Sequence, residues 1–301
     1  MLPCRIRMST VTRIVTALFC WVALFSAHAQ APPSRKNTNS PALTRTPTAP
    51  TTNAPYKIPE NKIIEFNVPL SPAARLSVIH SKNPPADYAK VAIALPEGFD
   101  PEIPTQILLV NGTSDRSGSS IMPMVAFTNI ALRLGWIVVA ADAPFKPPDD
   151  SPPWRWAMIS SMLDHINKAW PGARRWPIAS AGISGGGKWA GVIGAILSQK
   201  GYNLVGVFMG GVNEDYASEA AKVYDPAIRF KKVPFYISSG ADDKIATPEQ
   251  HQRVKESLLS SGFGQVRLES FKGGHALSEA ELKNALTWFI DLYTKDSIEI
   301  K

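Results

Sequence analysis

The chain has 301 residues, 45% of them hydrophobic and 19% charged, with 32 basic against 25 acidic side chains and a formal net charge of +7. No run of five or six like charges occurs, so nucleic-acid binding has no footprint in the sequence and a mildly basic, solvated surface accounts for the excess. Both cysteines, Cys4 and Cys20, fall in the first twenty residues, which excludes disulfides and thiolate metal sites from the rest of the chain.

The N-terminus opens with Arg5, Arg7 and Arg13, carries no acid, and runs through an apolar stretch from Ile14 to Phe25 to Ala27-His28-Ala29. This is the pattern of a secretory signal peptide cleaved after Ala29, and the apolar run is short for a membrane span. Lipid attachment at Cys20 is disfavoured by the bulky Leu18-Phe19 before it. The mature protein is expected to be periplasmic or secreted, without a membrane span, and its net charge falls once the three arginines leave. Residues 30–60 are rich in Pro, Thr, Asn and Ala and poor in large apolar side chains. They read as a disordered linker, because so little burial cannot offset the entropy of ordering. Residues 61–301 then suit one domain with a substantial core.

The first β-rich runs, "KIIEFNV" (62–68), "RLSVIHS" (75–81) and "KVAIALP" (90–96), are separated only by loops and read as antiparallel lead-in strands. After residue 105 the rhythm changes. Strands "QILLVNG" (106–112), "GWIVVAAD" (135–142), "PIASAGI" (177–183), "LVGVFMGG" (204–211), "VPFYISSG" (233–240) and "QVRLESFKGG" (265–274) are interleaved with helical patterns. These helices are expected at Met122–Leu134, Trp154–Ala169, Gly186–Gln199, from Pro248, and from Glu279 to Tyr293. Such alternation predicts an α/β fold: a mostly parallel central sheet with antiparallel N-terminal strands and helices on both faces. Thr247-Pro248-Glu249-Gln250 and Ser278-Glu279-Ala280-Glu281 are helix-start signals. They leave "GADDKIA" (240–246) and "GGHAL" (273–277) as loops at the carboxyl edge of the sheet, where ligands of such sheets bind.

"GISGGGKW" (182–189) admits two chemistries. As G-x-x-x-x-G-K it approaches a phosphate-binding loop, but Trp189 stands where a metal-binding Ser or Thr is required, and export would remove the protein from nucleoside triphosphates. As G-x-S-x-G it is a nucleophile elbow carrying Ser184, which needs an acid and then a histidine on later carboxyl-edge loops. Four histidines follow the leader. His80 falls in the lead-in region, His165 inside a helical pattern and His251 one turn into the helix begun at Thr247, all suited to packing or surface; His275 lies on the last edge loop. For the acid, Asp243 is preferred over Asp242, a candidate turn residue, with Glu214 and Asp215 as alternatives after the preceding strand. Donors for a developing oxyanion would be the N–H groups of Gly185 and, from the loop after "QILLVNG", Thr113.

On these residues the chain resembles the α/β-hydrolase superfamily over roughly residues 62–295. "VAIALPEGFDPEIPTQILLVNGT", "GISGGG", "GADDKIATP" and "FKGGHAL" are similar to the corresponding segments of secreted esterases related to polyhydroxybutyrate depolymerases, feruloyl esterases and esterase D. The resemblance implies Ser184, Asp243 and His275 as catalytic triad, with no cofactor and no metal. Asn111-Gly112 departs from the His-Gly usual there, and Lys188-Trp189 matches no pattern of the group, so Trp189 reads as a helix-to-sheet packing residue.

A connection of about twenty residues before the strand at 233–240 has room for a short helix but no large lid, so small or polymeric esters are both admissible substrates. Trp154 and Trp156, in "PFKPPDDSPPWRW", read either as rim residues that stack on substrate or as core residues at the entry of a helix. Beside a serine esterase, the sequence leaves open a serine peptidase of the same fold and a non-catalytic binding protein on a hydrolase scaffold.

Overall fold

A computed structural model describes residues 44–45, 58, 60–79, 81–114, 121–224 and 229–299. The expected leader and most of the expected linker lie outside these residues. A nine-stranded open sheet runs in the order β1-β2-β3-β5-β4-β6-β7-β8-β9. Its strands are β1 (Thr44–Arg45), β2 (Ile63–Pro69), β3 (Tyr88–Ala94), β4 (Ile107–Asn111), β5 (Ile137–Asp142), β6 (Ile178–Ile183), β7 (Leu204–Gly210), β8 (Phe235–Gly240) and β9 (Val266–Phe271). Pairing is antiparallel at β2–β3 and β3–β5 and parallel throughout β5-β4-β6-β7-β8-β9.

The helices are α1 (Pro72–Ile79), α2 (Ile121–Arg133), α3 (Pro152–Ala169), α4 (Gly185–Gln199), α5 (Ala217–Tyr224), α6 (Pro248–Ser260) and α7 (Glu279–Glu299). Period-2 alternation sorts the strands between two cores. Ile107 and Leu109 of β4 and Ile137 and Val139 of β5 face a core shared with α1, α3, α4, α5 and α6. Leu108, Val110, Val138 and Ala140 face the other, shared with α2 and α7. Helices therefore cover both faces, and β5, buried along nearly its whole length between β3 and β4, explains the apolar run of "GWIVVAA".

One expected strand is a helix. "RLSVIHS" lies mostly in α1, because Ser71 accepts the Ala74 N–H on its hydroxyl (3.2 Å) and Pro72 supplies a pre-set first helical residue. Ala74 and Val78, four apart on one face, bury against the core, while Leu76 and Ile79 stay exposed. Alternation of apolar residues in this segment imitated a strand; the cap decided otherwise. His80 lies outside the described residues. The other expected strands and helices form within a few residues of their expected limits, except that α7 runs on past Tyr293 to Glu299.

Both marked helix starts are formed. Gln250 reaches back to accept the Thr247 N–H (2.8 Å), and Ser278 accepts that of Glu281 (3.3 Å). The loops 240–247 and 272–278 thereby open from the carboxyl ends of β8 and β9, on the same sheet edge as the β4–α2 and β6–α4 turns.

Candidate active site

Ser184 sits between β6 and α4 with φ 58° and ψ −127°, a conformation that L side chains adopt only under constraint. The constraint is steric. A Cβ on Gly182 would run into the Gly186 carbonyl, and one on Gly186 into the carbonyl of Asn111. Those contacts let the strand reverse directly into α4, whose first residue is Gly185. The Ser184 N–H donates to Gly210 O (2.8 Å), and the helix begins as Lys188 N–H donates to Ser184 O (3.2 Å). A helix N-terminus, with its partial positive charge, thus opens beside the serine.

The acid and base segments meet on the neighbouring strands. His275 Nδ1 lies 2.7 Å from Asp243 Oδ2, and the Asp243 side chain is wholly buried. The other carboxylate oxygen, Oδ1, accepts the N–H groups of Ile245 (2.8 Å) and Ala246 (2.9 Å). Burial alone would raise the Asp243 pKa; the bonds from Ala246, His275 and Ile245 outweigh it and hold the carboxyl below its ordinary value. An ionised carboxylate can only accept, so Nδ1 of His275 carries the proton in this pair and Nε2 is left as the basic nitrogen.

Ser184 joins the pair through backbone. Its N–H is bound to Gly210 O, and the next residue, Gly211, lies directly under the imidazole: a Cβ there would stand 2.9 Å from His275 Cε1 and 3.0 Å from Nδ1. On its other side the elbow abuts the β4–α2 loop, where a Cβ on Gly185 would collide with the Thr113 hydroxyl and lie 3.4 Å from Thr113 Cα. Ser184, Gly185, Thr113, Asp243 and His275 thus occupy one edge of the sheet.

The remaining candidates are engaged elsewhere. Asp242 is exposed and its N–H donates to Gly273 O (2.8 Å). Glu214 pairs with Lys188 (2.5 Å), and Asp215 accepts the Ser218 N–H (3.0 Å) and the Ser257 hydroxyl (2.7 Å). His251 is fully buried with Nδ1 2.8 Å from Ser239 Oγ, and burial lowers its pKa. His165 packs against Phe66 with ring centroids 5.5 Å apart. Trp154 is a core residue against Phe145, and Trp156, half-buried, packs on the same core and meets Tyr202.

Sequence reasoning did not find Arg155. Both Asp150 oxygens bind its guanidinium at 2.7 and 2.6 Å, and its Nη1 donates to the carbonyl of Gly112 (2.8 Å). Nor did it find the part Trp189 plays beyond packing: its ring lies under Arg155 (4.3 Å to the centroid) and its Nε1 donates to Ser114 Oγ (2.8 Å). Asn111, which stands where His is usual, is buried and donates to Ser180 Oγ (3.0 Å) and Ala181 O (3.1 Å), tying β4 to β6 beneath the elbow.

This sheet, with its crossed β5-β4 order and its turn after β6, is the α/β-hydrolase fold. No family model matches the sequence, and no curated protein does. Solved structures do. A protein from Xanthomonas campestris described as an α/β serine hydrolase without lid superposes with TM-score 0.52 at 14% identity, covering 79% of this chain and 98% of its own. A ferulic acid esterase gives TM-score 0.51 at 16% identity, over 75% and 95% of the two chains. An α/β serine hydrolase homologue from Coxiella burnetii gives 0.50 at 12%, over 78% and 99%. At these identities the likeness is one of fold.

Proposed function

We propose that the protein is an exported serine hydrolase that cleaves carboxylic esters through an acyl-enzyme. The reading is carried by one observation: a hydrogen-bonded pair of buried Asp243 and half-buried His275 lies over Gly211, one residue from the carbonyl that binds the N–H of a constrained Ser184. A phosphate-binding loop would have no use for either partner. The esterase names of the structural neighbours and the leader-like N-terminus favour the ester and export parts of the reading.

In this mechanism His275 Nε2 takes the proton of Ser184 Oγ as that oxygen adds to the ester carbonyl carbon. The carbonyl oxygen becomes an alkoxide and is met by the N–H groups of Gly185 and Thr113 and by the N-terminal end of α4. Collapse breaks the bond to the alcohol oxygen, which leaves with the proton from His275. Water repeats the sequence and releases the acid. Asp243, kept ionised by its three hydrogen bonds, stabilises the imidazolium and fixes its tautomer. Among the described residues of the β7–β8 connection the α-helix is α5, of 8 residues, which suits a broad, open site.

Fluorophosphonate labelling tests the reading. Wild type is expected to label at Ser184 and to hydrolyse short p-nitrophenyl esters faster than the matching anilides, and both activities should vanish in Ser184→Ala and His275→Ala. A folded wild type that neither labels nor turns over ester would refute it. Faster turnover of the anilide would replace the esterase by a peptidase.

A further inference from the structure

Residues 112–114, after the end of β4, have no regular structure, yet a cluster of side chains unused by the proposed chemistry holds both neighbours of Thr113. On one side, Arg155 Nη1 donates to the carbonyl of Gly112 (2.8 Å). On the other, Trp189 Nε1 donates to Ser114 Oγ (2.8 Å), with Arg155 Nη2 reaching the same oxygen at 3.5 Å. Arg155 is itself fixed. Asp150 grips its Nε and Nη2 with both oxygens (2.7 and 2.6 Å), and its guanidinium stacks on the Trp189 ring. The Arg155 and Asp150 side chains are only 13% and 17% exposed, so this is no ordinary surface ion pair.

Peptide geometry turns this clamp into a direction. The peptide bonds are trans, so the C=O and N–H of the Gly112–Thr113 unit point oppositely. Holding the Gly112 carbonyl toward Arg155 aims the Thr113 N–H to the far side. Trp189 lies five residues past Ser184 on α4, so the elbow helix and the β4–α2 loop are tied together by the same cluster.

We propose that Arg155, held by Asp150 and stacked on Trp189, is a positioning residue that sets the Gly112–Thr113 peptide as an oxyanion donor. The proposal rests on the serine-hydrolase reading. Lysine cannot replace it, because only a guanidinium presents enough coplanar donors to grip a carboxylate with two nitrogens and a carbonyl with a third. The cluster meets the place of the oxyanion through this peptide and is spent on side-chain and backbone partners elsewhere, so its removal should slow the chemical step and leave substrate binding almost untouched.

The test is steady-state ester hydrolysis by the purified protein and by Arg155→Met and Arg155→Lys. Alongside it run thermal unfolding and inhibition by a trifluoromethyl ketone, whose tetrahedral adduct needs the oxyanion donors. Arg155→Met is expected to lose about 10- to 100-fold in kcat, part of what removal of a whole donor costs. KM should change less than about threefold, and ketone affinity should fall in step with kcat/KM. Arg155→Lys should recover only part of the rate. Where Arg155→Met does not fold, Asp150→Asn frees the guanidinium without removing it and should show the same pattern at smaller size. A folded Arg155→Met, or failing that Asp150→Asn, with wild-type kcat or with a loss confined to KM overturns the proposal and leaves the esterase standing. A wild type that fails to label and to turn over ester overturns both.

Discussion

The nucleophile side and the acid–base side of the site are built by different physics. Around Ser184 the shape is steric: glycines at 182 and 186 remove the atoms that would keep strand, turn and helix apart, and the serine is left in a backbone conformation it would not choose. Around Asp243 and His275 the shape is polar: a buried carboxylate whose two oxygens are filled by two backbone N–H groups and one imidazole. The first half should be intolerant of added volume, the second of altered charge.

The largest expected effect separates activity from stability at a single residue. Ser184→Gly should abolish turnover, a loss of about a million-fold if the serine is the nucleophile. It should also stabilise the fold by about 1–2 kcal/mol, because glycine accepts a φ of 58° without strain. Assay of turnover and chemical denaturation of the same preparation would show both. On the polar side, Asp243→Asn keeps the shape and reverses one hydrogen bond. Its amide would donate to His275 and force the wrong tautomer, lowering kcat by about 10⁴-fold while the chain still folds, as kinetics beside circular dichroism would reveal.

Gly186→Ala attacks the steric side in return. A Cβ driven into the Asn111 carbonyl should cost about 3 kcal/mol, read from denaturant midpoints, with activity lost through misplacement of the elbow and not of any charge.

The smallest effect concerns pH. His251 is buried with its pKa lowered by that burial, so the unfolded chain takes up the proton more readily than the folded one. Stability should therefore fall as pH drops below the ordinary imidazole value of about 6.5. In His251→Leu that segment of the pH–stability curve should flatten. Asp243 acts at lower pH. Its folded pKa is depressed, so its contribution is present above the ordinary carboxylate range and disappears as pH falls through the folded value.

Much of the polar half was legible in the sequence because it depends on order along the chain: serine, acid and histidine on successive edge loops, each bounded by a strand ending or a helix cap. The Arg155 cluster was not. Its members, at 112, 114, 150, 155 and 189, share no period and no motif, and each passes for a loop polar group or a core tryptophan until the fold assembles them. Trp154 and Trp156 show the converse, aromatic residues in a promising loop that packing claims instead. Helix α1 was misread for a nearer reason. A short segment with alternating apolar residues satisfies both periods, and the Ser71-Pro72 start decides between them.

Helix α4 is buried over almost its whole length, from Gly186 to Ser198. Amides in such a segment exchange with solvent only when large parts of the molecule open, whereas the loop bearing His275 hangs from β9, the last strand of the sheet, which is covered on fewer sides. Hydrogen exchange should accordingly find the elbow among the most protected stretches and residues 272–277 among the less protected. Partial opening would then withdraw the base while the serine stays in place, so the molecule would lose its chemistry well before it loses its fold.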